Sequence, residues 1–139
     1  MEQRVREYIV ELAKSLAGTP YVWGGDKPYD GLDCSGLVIF TFKVFDLLPD
    51  VGDWTAQGLS GMWERTTTLN IGDLIFYGEN DHSISHVAIY IGNNNAISAR
   101  GAGRNATRET SLKSGASVKP HTVQYRRDLR FFVDISKPL

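Results

Sequence analysis

The one cysteine of the chain stands in Asp33-Cys34-Ser35-Gly36-Leu37-Val38, at the entrance to an apolar run that reads as a helix. A helix N-terminus presents unpaired N–H groups and a positive partial charge. Both favour thiolate over thiol and can bring a cysteine pKa below its free value of about 8.5. Asp33 holds the position of an N-cap, and Gly36 leaves room for close packing or for close approach of a substrate. The alternative to a nucleophile is a buried structural cysteine, since free cysteine is among the most buried residue types.

Hydrolysis through a thiol needs a base that takes its proton and later returns it to the leaving amine, which near neutral pH is work for a histidine. The chain has three histidines. His82 lies in the polar turn Glu79-Asn80-Asp81-His82 and reads as surface, while His121 has no evident position. In His86-Val87-Ala88-Ile89-Tyr90-Ile91 the residues Val87, Ile89 and Ile91 alternate onto one face. His86 therefore points to the other side at a strand start, where it could meet the helix that carries Cys34.

Two further segments join these. Gly18-Thr19-Pro20-Tyr21-Val22-Trp23-Gly24-Gly25 lies upstream, and Gly72-Asp73-Leu74-Ile75-Phe76-Tyr77 precedes Ser85-His86-Val87-Ala88-Ile89-Tyr90-Ile91-Gly92 downstream. In this order and at these separations the chain resembles the NlpC/P60 family of papain-like cysteine peptidases, most of which cut peptide bonds in the stem peptides of bacterial cell walls. The resemblance runs from the first helix to about Ala99 and fades beyond it. It implies a papain-like α+β fold, with N-terminal helices packed on a small antiparallel β-sheet. It also implies Cys34 as nucleophile, His86 as general acid and base, and Tyr21, Asp33 and Ser35 as substrate-binding residues beside the cysteine. The N–H of Cys34 is the expected donor to the oxyanion, and neither metal nor cofactor is expected.

A third group normally accepts the second N–H of the base and fixes its orientation. In the family this is usually a second histidine, twelve residues after the first; here that position is Ser98. Hairpin geometry reaches the same residue, since a turn near Gly92 sets His86 and Ser98 roughly opposite, with Ile97 on the core face shared by Val87 and Ile89. Three alternatives stay open: Ser98 orients His86 directly or through water, His121 or another polar residue comes in from the C-terminal third, or the site is impaired.

The elements that must position these residues follow from periodicity. Val5, Tyr8, Ile9, Leu12, Ala13 and Leu16 recur at helical spacing before Gly18 and Pro20, which predicts an amphipathic helix over 2–17. Residues 19–33 are dense in Gly, Pro and Asp and read as an ordered loop that carries Tyr21 and Trp23, with Trp23, Gly24 and Gly25 assigned to shape. Residues 34–48 read as a buried helix. Residues 49–71 read as loop with a short helix over 56–64, where Trp54 and Trp63 either cover the site or pack. Strands are predicted at 73–77, 86–91, 96–100 and 130–135, with Gly92-Asn93-Asn94-Asn95 as hairpin turn. Helices before strands, in separate blocks, is the pattern of an α+β domain.

A chain of 139 residues, 42% hydrophobic and 22% charged, is expected to form a single domain over 1–139 with one core. The charged opening Met1-Glu2-Gln3-Arg4 does not resemble a secretory signal, and no run reaches the roughly 20 apolar residues of a membrane span. Synthesis in the cytoplasm, with action on the wall after release or delivery, is the expectation. Phage endolysins, phage tail enzymes and injected effectors travel that way, so phage tail or delivery proteins are expected partners. The net charge of −1 hides an asymmetry, because residues 1–99 carry 6 Lys/Arg against 13 Asp/Glu and residues 100–139 carry 9 against 3. The basic set Arg100, Arg104, Arg108, Lys113, Lys119, Arg126, Arg127 and Arg130 could line the route of an anionic ligand or be a solvated face. Nucleic acid is not expected, since no aromatic interleaving or recognition motif accompanies these charges.

The reading that results is a thiol hydrolase acting on peptidoglycan stem peptides, at the family's usual bond between D-γ-glutamate and the diamino acid. An amidase or acyltransferase on the same fold is one alternative. A weakly active phage tail or wall-binding component is the other.

Overall fold

The computed structural model describes residues 1–49 and 54–139. Helix α1 (Gln3–Ser15) opens the chain, and the two-residue strands β1 (Asp26–Lys27) and β2 (Gly31–Leu32) lead into α2 (Cys34–Val44). A short α3 (Ala56–Ser60) precedes β3 (Trp63–Thr66), β4 (Leu74–Asn80), β5 (Ser83–Gly92) and β6 (Asn95–Arg100). Helix α4 (Arg108–Ser114) then leads to β7 (Ser117–Thr122) and β8 (Leu129–Pro138). The six longer strands form one antiparallel sheet in the order β3-β8-β4-β5-β6-β7, and the class is the α+β one expected.

Alternation along the strands divides the core in two. Leu74, Phe76, Val87, Ile89, Ile97 and Val133 face the helices and pack with Ile9, Ala13, Leu37, Val38 and Phe42. Ile75, Tyr77, Ala88 and Ala96 face the other way and gather with Val123 in a smaller cluster. The central strands thus bury both faces.

Helix α1 is shorter than the expected 2–17 and turned about its axis: Tyr8 is 54% exposed, whereas Arg6 and Val10 are buried. Arg6 causes the rotation. One guanidinium nitrogen donates to Asp73 Oδ1 at 2.7 Å and to the Ile71 carbonyl at 3.0 Å, and the other donates to Asp134 Oδ1 at 2.8 Å. Asp73 also accepts from the N–H groups of Asn70 and Ile135, so one buried node ties α1 to the loop before β4 and to β8.

Helix α2 ends at Val44, short of the expected residue 48, because Asp46 turns left-handed at φ 58° and the Leu47 N–H closes on the Phe42 carbonyl at 2.9 Å. The expected helix over 56–64 stops at Ser60; Trp63 is drawn into β3 beside β8 and packs edge-on against Phe42 at 5.7 Å. Trp63 is therefore core. Residues 50–53 of the expected loop lie outside the described residues. The two-residue strands β1 and β2, which fall in the expected loop, strands β3 and β7 and helix α4 are not predicted by the sequence pattern. Pro120 sits in β7, the last strand in the order of the sheet, whose outer side is met only at its start, where residues 18–21 bond to Ala116 and Val118; proline is tolerated on such an edge.

Candidate active site

Asp33 caps α2 as expected: its Oδ1 accepts the Gly36 N–H at 2.7 Å and the Ser35 hydroxyl at 3.0 Å, and its Oδ2 accepts the Gly24 N–H at 2.9 Å. One carboxylate thus ties the loop carrying Tyr21 and Trp23 to the helix carrying Cys34. At Gly36 a Cβ would overlap the carbonyl oxygen of Gly25, so this glycine lets loop and helix touch.

The base side is built by two irregularities of the sheet. Tyr77 pairs with His86 and Gly78 with Ile84, which leaves Ser85 as an extra residue at the start of β5. Such a bulge re-aims neighbouring side chains, and Ser85 and His86 both line the same cleft as Cys34. In the hairpin, the turn residues are Asn93 and Asn94, at φ 55° and 60°, a two-residue loop with both central residues left-handed. Ile89 pairs with Ile97 and Tyr90 with Ala96, so the same count sets Ser98 opposite Ala88. The expected opposition of His86 and Ser98 is corrected to a diagonal relation. The turn lies beyond Gly92, which moves the register by two and so preserves the face.

The diagonal still brings the groups together. Ser98 Oγ lies 3.1 Å from His86 Nε2, and both residues are buried. Two residues from the C-terminal third join them: His121 Nε2 lies 2.7 Å from Ser98 Oγ, and the Tyr125 hydroxyl lies 2.8 Å from His86 Nε2. His121 Nδ1 is 2.8 Å from the carbonyl of its neighbour Thr122. The Tyr125 ring sits 3.8 Å from that of His121 and 5.5 Å from that of Tyr77, whose hydroxyl donates to the Val123 carbonyl at 2.7 Å. The sequence offers His121 as one alternative for the third group without giving it a position, and nothing in it singles out Tyr125. The signal for His121 was its parity in β7, where it pairs with Ala96 on the face of His86.

These groups open on a cleft of about 590 Å³ whose walls include Tyr21, Trp23, Asp33, Cys34, Ser35, Gln57, His86, Arg100, Tyr125 and Arg126. Every site residue expected from the sequence except Ser98 lines it, and Ser98 lies directly behind His86. His82 is exposed, as read. Trp54 is half-buried against the main core.

Burial sets the resting charge state. It pushes the Cys34 thiol up to about 11, the charge of Asp33 adds to that rise, and N–H groups of Val87, Ser35 and Cys34 oppose it. The expected thiolate is therefore corrected to a thiol, because desolvation outweighs the helix end. Burial likewise lowers His86 to about 3, helped by the charges of Arg126 and Arg100 and opposed by Asp128. Among the described residues no hydrogen bond reaches His86 Nδ1, which leaves that nitrogen to accept a thiol proton. The arrangement suits proton transfer in step with attack on a carbonyl.

A stability test follows from the sign of this shift. Between pH 6.5, where an ordinary histidine titrates, and about 3 the unfolded chain binds more protons at position 86 than the folded chain does. The contribution is complete above pH 6.5 and is lost on acidification through that window. The urea midpoint should fall further between pH 7 and pH 4 in the wild type than in His86→Gln. Equal falls would show that His86 is not held neutral.

The chain and its fold have counterparts among known proteins. The model of the NlpC/P60 family matches residues 18–127. The chain is 34% identical over 124 residues to the bifunctional muramidase/DL-endopeptidase CwlT of Bacillus subtilis (strain 168), covering 87% of this chain and 36% of that one. It is 32% identical over 136 residues to the peptidoglycan endopeptidase RipA of Mycobacterium tuberculosis, covering 88% of this chain and 28% of that one. The chain thus spans about a third of the length of these curated relatives. Among solved structures, the NlpC/p60 domain of the peptidoglycan hydrolase SagA superposes with a TM-score of 0.70 at 33% identity, covering 93% of this chain and 97% of that one.

Proposed function

The chain belongs to the NlpC/P60 family, and on that premise we propose that it is a cysteine endopeptidase of peptidoglycan stem peptides, cutting between D-γ-glutamate and the diamino acid. The observation that carries the reading is Cys34 and His86 on the walls of one cleft, with His86 Nε2 tied to Ser98 behind it. In this reading His86 Nδ1 takes the thiol proton as Cys34 Sγ attacks the scissile carbonyl. The Cys34 N–H stabilises the oxyanion, and the imidazolium returns the proton to the leaving amine. Water then attacks the thioester, His86 taking its proton and handing it to the departing thiolate. Tyr21, Asp33 and Ser35 hold the substrate on the cysteine side. The peptidase relatives, one of them named a DL-endopeptidase, support the bond assignment.

A wall substrate requires release or delivery of the enzyme across the membrane, and we keep a phage tail or other delivery protein as the partner proposed for that step. The test is mass spectrometry of purified muropeptides after incubation with the wild type and with Cys34→Ala. Fragments split at the D-γ-glutamyl bond, in the wild type only, are expected. Cleavage elsewhere would reassign the bond, and no cleavage at all would favour the wall-binding alternative.

Of the basic C-terminal set, Arg100 and Arg126 line the cleft. Arg126 is neutralised by Asp128, to which it donates twice at 2.6 and 2.8 Å. Among the described residues Arg100 has no carboxylate partner, and its Nε has no hydrogen bond. A cation without a counter-ion suits the free carboxylates of a stem peptide. Raising salt should weaken binding to insoluble sacculi, because the Debye length falls from about 10 Å at 0.1 M to about 3 Å at 1 M, while turnover of a short soluble peptide changes less. Equal effects would make the basic set a solvated surface.

A further inference from the structure

We propose that His121 is a positioning residue that acts through Ser98 to fix the tautomer of His86. The proposal rests on His86 as the base of the reading above and deepens it.

Serine is an ambiguous third group. Its hydroxyl offers one hydrogen and two lone pairs, so alone it can accept an N–H from His86 Nε2 or donate to it. Only the first arrangement leaves a lone pair on Nδ1 for the thiol proton. The hydrogen bonds around Ser98 remove the ambiguity. The Thr122 carbonyl can only accept, so His121 Nδ1, at 2.8 Å, carries a hydrogen. A neutral imidazole has one N–H, and burial keeps His121 below the usual histidine range. His121 Nε2 is then a bare acceptor, and the Ser98 hydroxyl donates to it at 2.7 Å.

With its hydrogen committed, Ser98 Oγ can only accept, and His86 Nε2 at 3.1 Å must donate. Tyr125 fits the same assignment: its oxygen, 2.8 Å from His86 Nε2, can accept a share of that N–H. Direction then runs from the Thr122 carbonyl through His121 and Ser98 to His86. A backbone carbonyl two side chains away thus supplies what a neutral hydroxyl cannot.

The experiment reads the tautomer directly, from the nitrogen shifts of ¹⁵N-labelled histidines in long-range ¹H–¹⁵N spectra, beside steady-state kinetics. His121→Phe keeps a ring against Tyr125 and removes the acceptor. The expected result is a His86 that is Nε2–H in the wild type and mixed in His121→Phe. The accompanying loss in kcat should be roughly 2- to 12-fold, the range for one neutral hydrogen bond, with KM unchanged. His121→Gln, which restores an acceptor oxygen, should recover most of kcat. The double variant Ser98→Ala/His121→Phe should be no worse than Ser98→Ala, because the link is already cut.

If His121→Phe does not fold, Ser98→Ala alone decides: a His86 still purely Nε2–H there overturns the relay. So does an unchanged tautomer in folded His121→Phe, or losses that multiply in the double variant. The tautomer needs no turnover to be measured, so this result stands apart from any failure of the muropeptide assay.

Discussion

Cys34→Ala and His86→Ala are each expected to lower muropeptide hydrolysis by about 10⁴-fold or more while leaving the fold intact. The size follows from how nucleophile and base act. The resting pair is a neutral thiol and a neutral imidazole, with Cys34 pushed up to about 11 and His86 lowered to about 3, so the thiolate forms only if His86 accepts its proton during attack. Without the thiol there is no covalent intermediate; without the imidazole nothing ionises the thiol or protonates the leaving amine. The two losses are therefore expected to be similar and strongly non-additive, with Cys34→Ala/His86→Ala little worse than either single variant. Multiplying losses would mean that the two residues act independently. Near-normal turnover in folded Cys34→Ala would remove the mechanism altogether.

The largest effect on stability is expected from the node at Arg6. Arg6→Ala should cost about 3–5 kcal/mol, because it strands a buried carboxylate. The pair it breaks, Arg6 with Asp73 at 2.7 Å, is almost wholly buried, with side chains 5% and 1% exposed, and Asp134 at 2.8 Å is 21% exposed. For a chain of this length that loss lowers the melting midpoint by on the order of 10 °C. It is also a large share of the roughly 5–15 kcal/mol that holds a typical domain folded. Arg6 does not line the cleft, so the activity of the folded fraction should hold. Thermal and urea unfolding of Arg6→Ala and Asp73→Asn are the measurements; a loss under about 1 kcal/mol in both would mean that the node is as weak as a surface ion pair.

Arg6 also shows where periodicity misleads. The helical spacing of Val5, Tyr8, Ile9, Leu12, Ala13 and Leu16 announces a helix, and a helix forms. The rotation of that helix is set by carboxylates that arrive 67 and 128 residues later. A pattern read over four turns cannot weigh them. The charge asymmetry has the same character, since composition reports nine Lys/Arg in the last forty residues but not that Arg126 is neutralised two positions on by Asp128.

The features legible along the chain are local ones. Asp33 before an apolar run makes a capped helix start at Cys34, because a carboxylate there satisfies the free N–H groups of the first turn. The alternation of Val87 and Ile89 with His86 and Ala88 puts the imidazole off the helix-packed face whatever the exact register, because side chains alternate with a period of two and a shift of two positions preserves the face. Which side chains converge on His86 depends on contacts between distant parts of the chain. Ser98, His121 and Tyr125 come from β6, from β7 and from the segment before β8, up to 39 residues away from it. Their meeting depends on the turn at Asn93 and Asn94, the bulge at Ser85 and the position of β7 at the edge of the sheet. The resting protonation was decided there too. A helix start alone favours a thiolate, but the burial that raises the thiol and lowers the imidazole exists only once sheet, loop and helix close around them, because desolvation is a property of everything packed within a few ångströms and not of neighbours along the chain.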